Sequence, residues 1–146
     1  MKILLFGKNG QVGWELQRSL APLGELIALE VDSRDHCGDL SDLRGLATTI
    51  RTLAPDAIVN AAAYTAADKA ESEPELAHRL NAEAPALIAE EARRLGASLV
   101  HYSTDYVFDG QGEVPWREGD AVAPLNHYGA TKLEGDLAIQ ASGCHG

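Results

Sequence analysis

Three glycines at three-residue spacing, Gly7-Lys8-Asn9-Gly10-Gln11-Val12-Gly13, stand between an apolar run and an amphipathic one, and no other feature narrows the possible folds as far. The run before them, Ile3-Leu4-Leu5-Phe6, is continuously apolar, as a strand covered on both faces would be. After them Val12, Leu16, Leu20 and Leu23 recur at helical spacing from Gln11 to about Leu23, where Pro22 and Gly24 break the pattern. Leu26-Ile27-Ala28-Leu29 then forms a second apolar run closed by Glu30. Strand, glycine turn, helix, strand is the opening unit of a parallel sheet. Gly7 permits the tight turn, Gly10 lets the backbone approach a pyrophosphate, and Gly13 lets helix pack closely on strand. The helix N-terminus adds unpaired N–H groups and about half a positive charge.

The alternation continues with a short third strand at Asp35-His36-Cys37-Gly38, a helix from about Ser41 to Leu53, and a strand at Ala57-Ile58-Val59-Asn60. A long helix over 74–95, ended by Gly96, precedes a fifth strand at Ser98-Leu99-Val100-His101-Tyr102. A loop rich in Gly, Pro and Asp, 109–124, leads to a last helix starting near Asn126. The expected fold is therefore α/β, a Rossmann-like doubly wound parallel sheet of five strands in one domain over 146 residues. It reads as incomplete at its C-terminal side, because the alternation asks for another strand after the last helix, and the fifth strand would be left as an open apolar edge. Lys and Arg number 12 against 22 Asp and Glu, a net charge of -10 without a basic cluster, so nucleic acid and anionic membranes are not expected partners. No apolar run approaches the ~18 residues of a membrane helix, and the start of the chain is too short in its apolar part for a signal peptide. Cys37 and Cys144 lie far apart without metal or disulfide spacing, in keeping with a cytoplasmic protein.

Glu30, seventeen residues beyond Gly13, is placed to hydrogen-bond an adenosine ribose, while Lys8 and Arg34 could instead receive a 2′-phosphate; NADH and NADPH both remain open. Asp39, Leu40 and Ala61-Ala62-Ala63 fall at strand C-termini, the edge where open sheets bind ligands. Tyr128 and Lys132 are four residues apart, so on a helix they share a face with Cβ atoms about 5–6 Å apart. An ammonium beside a phenol favours the phenolate and draws its pKa down from about 10. Tyr128 could then protonate a ketone oxygen as hydride arrives, with Lys132 stabilising the anion. Just past the fifth strand, Thr104 or Ser103 offers a hydroxyl to the same oxygen, and Asp105 could bind substrate hydroxyls or simply form a turn. Tyr102, one residue earlier, lies under the cofactor or in the core.

Gly7 to Gly13, the run Ser103-Thr104-Asp105-Tyr106-Val107-Phe108-Asp109-Gly110 and Tyr128-x-x-x-Lys132 together resemble the extended short-chain dehydrogenases. Lys2 to Gln17 and Pro124-Leu125-Asn126-x-Tyr128-Gly129-x-Thr131-Lys132-Leu133-Glu134-Gly135 are similar, more narrowly, to the dTDP-4-dehydrorhamnose reductase family. The resemblance implies reduction of the 4-keto group of a dTDP-4-keto-sugar by NADPH or NADH. Tyr128 would be the proton donor, Lys132 its partner at the cofactor, and Thr104 and Asp105 would touch the sugar. Gly10, Gln11, Val12, Glu30, Asp39, Leu40, Ala63, Tyr64, Thr65 and Tyr102 match positions that contact the nucleotide. The family often has Asp in place of Glu30. It is also associated with Mg2+ near a homodimer interface, where Glu15 matches one ligand, and it continues into a C-terminal substrate-binding region absent from this chain. A related fold also serves as the non-catalytic regulatory subunit of methionine adenosyltransferase, and an inactive fragment of the reductase is a third expectation, since fold alone does not fix function.

Overall fold

In the computed structural model, which describes residues 1–146, four parallel strands form one sheet. They are β1 (Lys2–Phe6), β2 (Glu25–Leu29), β3 (Ala57–Asn60) and β4 (Ser98–His101), in the order β2-β1-β3-β4. The helices are α1 (Gln11–Leu20), α2 (Leu43–Leu53), the short α3 (Ala67–Ala70) and α4 (Pro74–His78), then α5 (Ala84–Leu95) and α6 (His127–Ser142). Side chains alternate across β1 between two dry faces, which is why an unbroken apolar run suits it. Leu4 and Phe6 enter one core with Ile58, Leu46 and Ile50 of α2 and Ile88 of α5. Ile3 and Leu5 join Val59 on the other face, against Leu16 and Leu20 of α1.

Local chemistry sets the ends of the helices. Asp42 Oδ1 accepts the Gly45 N–H at 2.9 Å to cap α2, and Asn126 Oδ1 accepts the Gly129 N–H at 2.8 Å to cap α6. Arg51 on α2 reaches Glu91 on α5 with two hydrogen bonds, 3.0 and 2.7 Å long, and so clamps the two helices over the core.

The α/β class and the parallel sheet agree with the sequence, but the third of the five expected strands does not form. Residues 35–38 run as a bend followed by irregular chain. Their polar groups are taken locally: the Cys37 carbonyl accepts the Thr49 hydroxyl at 2.9 Å, and Asp39 Oδ1 accepts both the N–H and the hydroxyl of Ser41. Asp, His and Gly also have poor strand propensity. The first helix ends at Leu20, and Ala21–Leu23 form a 3₁₀ turn. The helix expected over 74–95 is broken at Arg79–Glu83 by a π-helical turn. The outer edge of β4 is not wholly open, since the Leu99 N–H donates to the His145 carbonyl at 2.7 Å and Ser98 forms a parallel bridge with His145.

Ile58 is fully buried at the centre of the larger core. Replacing it with alanine is expected to lower the unfolding free energy by about 2–5 kcal/mol, read from the denaturant midpoint.

Candidate active site

All four strands run the same way, and the path of the chain switches sides between β1 and β3, which opens a crevice at their C-terminal ends. Gly7 turns the chain there at φ +83°, and a Cβ on it would stand 2.6 Å from the Ala62 nitrogen. A Cβ on Gly13 would lie 1.8 Å from the Gly7 carbonyl oxygen. Gly10 differs, because a Cβ there would meet that oxygen at an ordinary 3.6 Å. Packing therefore demands Gly7 and Gly13, whereas the bareness of Gly10 leaves room in front of α1. No side chain caps that helix, and Gln11 and Val12 are exposed in its first turn. Unpaired amides beside open space suit a phosphate.

Next to this turn, Glu30, Asp39, Leu40 and Ala63 line one cleft of about 270 Å³, closed by Leu76 and Leu80. Four residues singled out from the sequence thus converge, even though the strand expected to carry Asp39 and Leu40 is absent. The Glu30 carboxylate accepts the Asn9 N–H at 3.1 Å through one oxygen and the Val31 N–H at 3.1 Å through the other, tying the glycine turn to the end of β2. Leu76 and Leu80 were hidden in the sequence as ordinary apolar helix positions. Arg34 is exposed and Lys8 half-buried.

Tyr128 and Lys132 lie on successive turns of α6, and both are buried. Lys132 Nζ donates to the Tyr102 carbonyl at 2.7 Å. Burial pulls this ammonium below its ordinary pKa, and the Asp136 carboxylate opposes the pull. Tyr128 packs among Ala70, Ala77 and Tyr64, with Tyr106 edge-on to its ring at 5.5 Å between centroids. Tyr106 belongs to the 3₁₀ turn 105–107, whose first amide is capped by Thr104: its Oγ1 accepts the Tyr106 N–H at 3.2 Å and donates to Asp105 Oδ1 at 3.4 Å. Thr104 and Asp105 line a second cleft of about 770 Å³ with Ser103, Asp136 and the stacked rings of Phe108 and Trp116. Neither Tyr128 nor Lys132 lines that cleft; the turn reaches Tyr128 through Tyr106.

Asn81, which the sequence reading passed over, links these parts. It is buried in the π turn, where Oδ1 accepts the Tyr64 N–H at 2.9 Å and Nδ2 donates to the Tyr64 carbonyl at 3.0 Å and to Thr131 Oγ1 at 3.2 Å. Its neighbours His78, Arg79 and Glu83 are polar or charged, so nothing local in the sequence set it apart. The Tyr64 hydroxyl donates to Glu73 at 2.7 Å, a bond that is the main reason its pKa is pushed up to about 12, and Thr65 is exposed. At the end of β4, burial, with the Lys132 charge adding to it, pulls His101 down to about 4. Glu15, which the resemblance matches to a metal ligand, is exposed and paired with Arg18.

A glycine turn at the switch point of a parallel sheet, with a buried Tyr-x-x-x-Lys pair on a neighbouring helix, defines a Rossmann-type α/β fold. The family model described as the RmlD substrate binding domain matches residues 1–145, and the chain belongs to that family. The dTDP-4-dehydrorhamnose reductase of Salmonella typhimurium is 65% identical over 140 residues, which is 96% of this chain and 47% of the relative. A crystal structure of a dTDP-4-dehydrorhamnose reductase from Clostridium acetobutylicum superposes with a TM-score of 0.89 at 39% identity, covering 97% of this chain and 49% of that one. The Bacillus anthracis reductase, solved in complex with NADP, gives a TM-score of 0.87 at 32% identity over 96% of this chain and 49% of its own. The chain thus spans about half the length of the relatives it matches. No helix is long and apolar enough to cross a membrane.

The glycines give a paired test. Gly10→Ala is expected to keep the parent melting temperature while weakening NADP(H) binding about tenfold or more by calorimetry. Gly13→Ala should lower the melting temperature itself, because its Cβ collides with backbone. The low pKa of His101 has a definite sign as well. The unfolded chain takes up this proton near pH 6.5 and the folded chain only near 4, so the contribution of His101 to stability falls as pH drops through that window. A His101→Gln variant should therefore lose less unfolding free energy than the parent between pH 6.5 and 4.

Proposed function

We propose that this chain is the cofactor-binding and catalytic part of a reductase that converts the 4-keto group of a dTDP-4-dehydro-sugar, dTDP-4-dehydro-L-rhamnose, to the alcohol in the cytoplasm, as part of dTDP-rhamnose synthesis. The observation that carries the reading is the burial of both Tyr128 and Lys132 on one helix, with the ammonium held on the Tyr102 carbonyl. A lysine withdrawn from water this far loses hydration, so its place needs a local reason.

NADPH or NADH would lie with its pyrophosphate at Gly10, Gln11 and Val12 and its adenosine in the cleft of Glu30, Asp39, Leu40 and Ala63, with Tyr64, Thr65 and Tyr102 toward the nicotinamide. When bound, it supplies the hydride. The Tyr128 phenol gives its proton to the carbonyl oxygen as the carbon is reduced, and Lys132 stabilises the phenolate left behind. The Thr104 hydroxyl, freed from Asp105, would donate a hydrogen bond to the same oxygen once the Tyr106 ring that separates its turn from Tyr128 swings aside, and Asp105 would accept from sugar hydroxyls. Because both clefts meet α6 or the loops packed on it, one helix serves both substrates.

The test is NADPH oxidation measured with a dTDP-4-dehydro-sugar. Tyr128→Phe is expected to lower turnover about 100-fold or more, the usual contribution of a general acid, with cofactor affinity retained. Turnover equal to the parent would remove Tyr128 from the chemistry. Saturable cofactor binding without any turnover would favour the regulatory-subunit reading instead.

A further inference from the structure

Residues 71–73 join α3 to α4, and both acidic side chains of this link reach parts of the protein that surround Tyr128. Glu71 Oε1 accepts the backbone N–H of His127, the first residue of α6, at 2.9 Å. The opening amides of a helix have no acceptor inside it. In α6 two of them are paired by side chains: that of Gly129 by Asn126, and that of His127 by Glu71, which lies 56 residues away in sequence. The His127 ring makes a second tie, with Nε2 3.0 Å from the carbonyl oxygen of Pro74, the first residue of α4. A carbonyl only accepts, so the proton of that bond is on Nε2. The link and the start of α6 are thus joined at two points, one residue before Tyr128.

Glu73 acts on the other side of the same pocket. Its Oε1 accepts the Tyr64 hydroxyl at 2.7 Å, and Tyr64 packs against the cluster that Tyr128 forms with Ala70 and Ala77. Those alanines flank the link, one ending α3 and the other within α4. The link is itself held in place, since the Glu73 N–H donates to the Lys69 carbonyl at 2.8 Å and the Glu73 carbonyl accepts the Ala77 N–H at 3.1 Å.

We propose that Glu71 and Glu73 are positioning residues for Tyr128, Glu71 by fixing the first turn of the helix that carries it and Glu73 by fixing the Tyr64 wall of its pocket. The proposal rests on the catalytic reading of Tyr128 for its consequence in turnover, but not for its structural test. A general acid must stand within hydrogen-bond reach of the oxygen it protonates, and a misplacement of about 1 Å can cost about 100-fold in rate. Each carboxylate acts here as a hydrogen-bond acceptor. Glutamine, whose amide oxygen still accepts, should therefore replace it, and alanine should not. Both side chains are exposed, so these substitutions leave the core intact.

The chain has four tyrosines, so ¹³C labelling at Cζ gives four resonances, and that of Tyr128 is the one absent from Tyr128→Phe. The Tyr128 resonance should move in Glu71→Ala and in Glu73→Ala and return to the parent position in Glu71→Gln and Glu73→Gln, with the melting temperature kept. Tyr64→Phe, which keeps the ring and removes only the hydroxyl, should reproduce the Glu73→Ala shift, and adding Glu73→Ala to it should shift nothing further. In a parent that turns over, Glu71→Ala should lower kcat about tenfold with KM for NADPH unchanged, and Glu71→Gln should recover it. A Tyr128 resonance that stays in place in either alanine variant, or that glutamine moves as far as alanine does, would overturn the proposal. Turnover of Tyr128→Phe, followed separately, reports on the catalytic reading alone, so failure of one is distinguishable from failure of the other.

Discussion

The position of α6 depends on a contact between two backbones. A Cβ on Gly135 would stand 2.2 Å from the Asn81 carbonyl oxygen, and one on Gly129 would stand 2.3 Å from the Tyr106 carbonyl oxygen, so the helix lies directly against the π turn and the 3₁₀ turn. Apolar side chains could hold such a helix in several registers. Here the buried Asn81 amide narrows the choice, since it pairs with both backbone groups of Tyr64 and with Thr131, whose hydroxyl donates back to the Tyr128 carbonyl at 2.9 Å. Of these bonds only the one from Asn81 Nδ2 to Thr131 Oγ1 crosses to α6, and it would be lost if the helix slid by a turn, at a cost of about 1–3 kcal/mol. Tyr128 sits beside the small Ala70 and Ala77, with the rings of Tyr64 and Tyr106 packed around it, while the Asn81–Thr131 bond fixes the helix that carries it.

The parts of the fold that were legible in the sequence are those where a local rule and the global arrangement agree. The glycine turn, the continuous apolar strands and the capping residues Asp42 and Asn126 each carry their physics within a few residues. The failures have a common cause. The segment 35–38 sits where the alternation requires a strand, yet the Cys37 carbonyl is taken by the Thr49 hydroxyl and its thiol by the Asp39 carbonyl and the Asp42 carboxylate. The π turn leaves no mark on periodicity, because adding one residue to a single turn shifts the apolar stripe by less than the stripe is wide. Asn81, His101 and Asp136 owe their importance to partners 17 to 50 residues away, and in one sequence a buried asparagine reads the same as an exposed one.

For the site the balance was similar. Glu30, Asp39, Leu40 and Ala63 were readable because open α/β sheets bind ligands at strand ends whatever the details of each strand. Thr104 was expected to converge with Tyr128, and between them the structure sets Tyr106, whose amide Thr104 caps and whose ring stands edge-on to Tyr128. Chain spacing places Thr104 just past a strand but says nothing about which side chain of the following turn faces α6.

The charge distribution explains why one buried cation among 12 basic residues can matter. Most of the net charge of -10 is solvated, and across water at physiological salt it is screened beyond about 8 Å. Lys132 is buried, so its field and the fields acting on it are not screened in that way. Arg51 and Glu91 offer the contrast: there the carboxylate is buried and the guanidinium stays in water, so the pair clamps two helices and the cation keeps most of its hydration. At Lys132 the cation itself is withdrawn, which removes stability that a surface lysine would keep. A fold that tolerates this loss on the helix carrying Tyr128 departs there from ordinary charge placement. Such local departures from otherwise consistent sequence rules are expected where a protein does its chemistry.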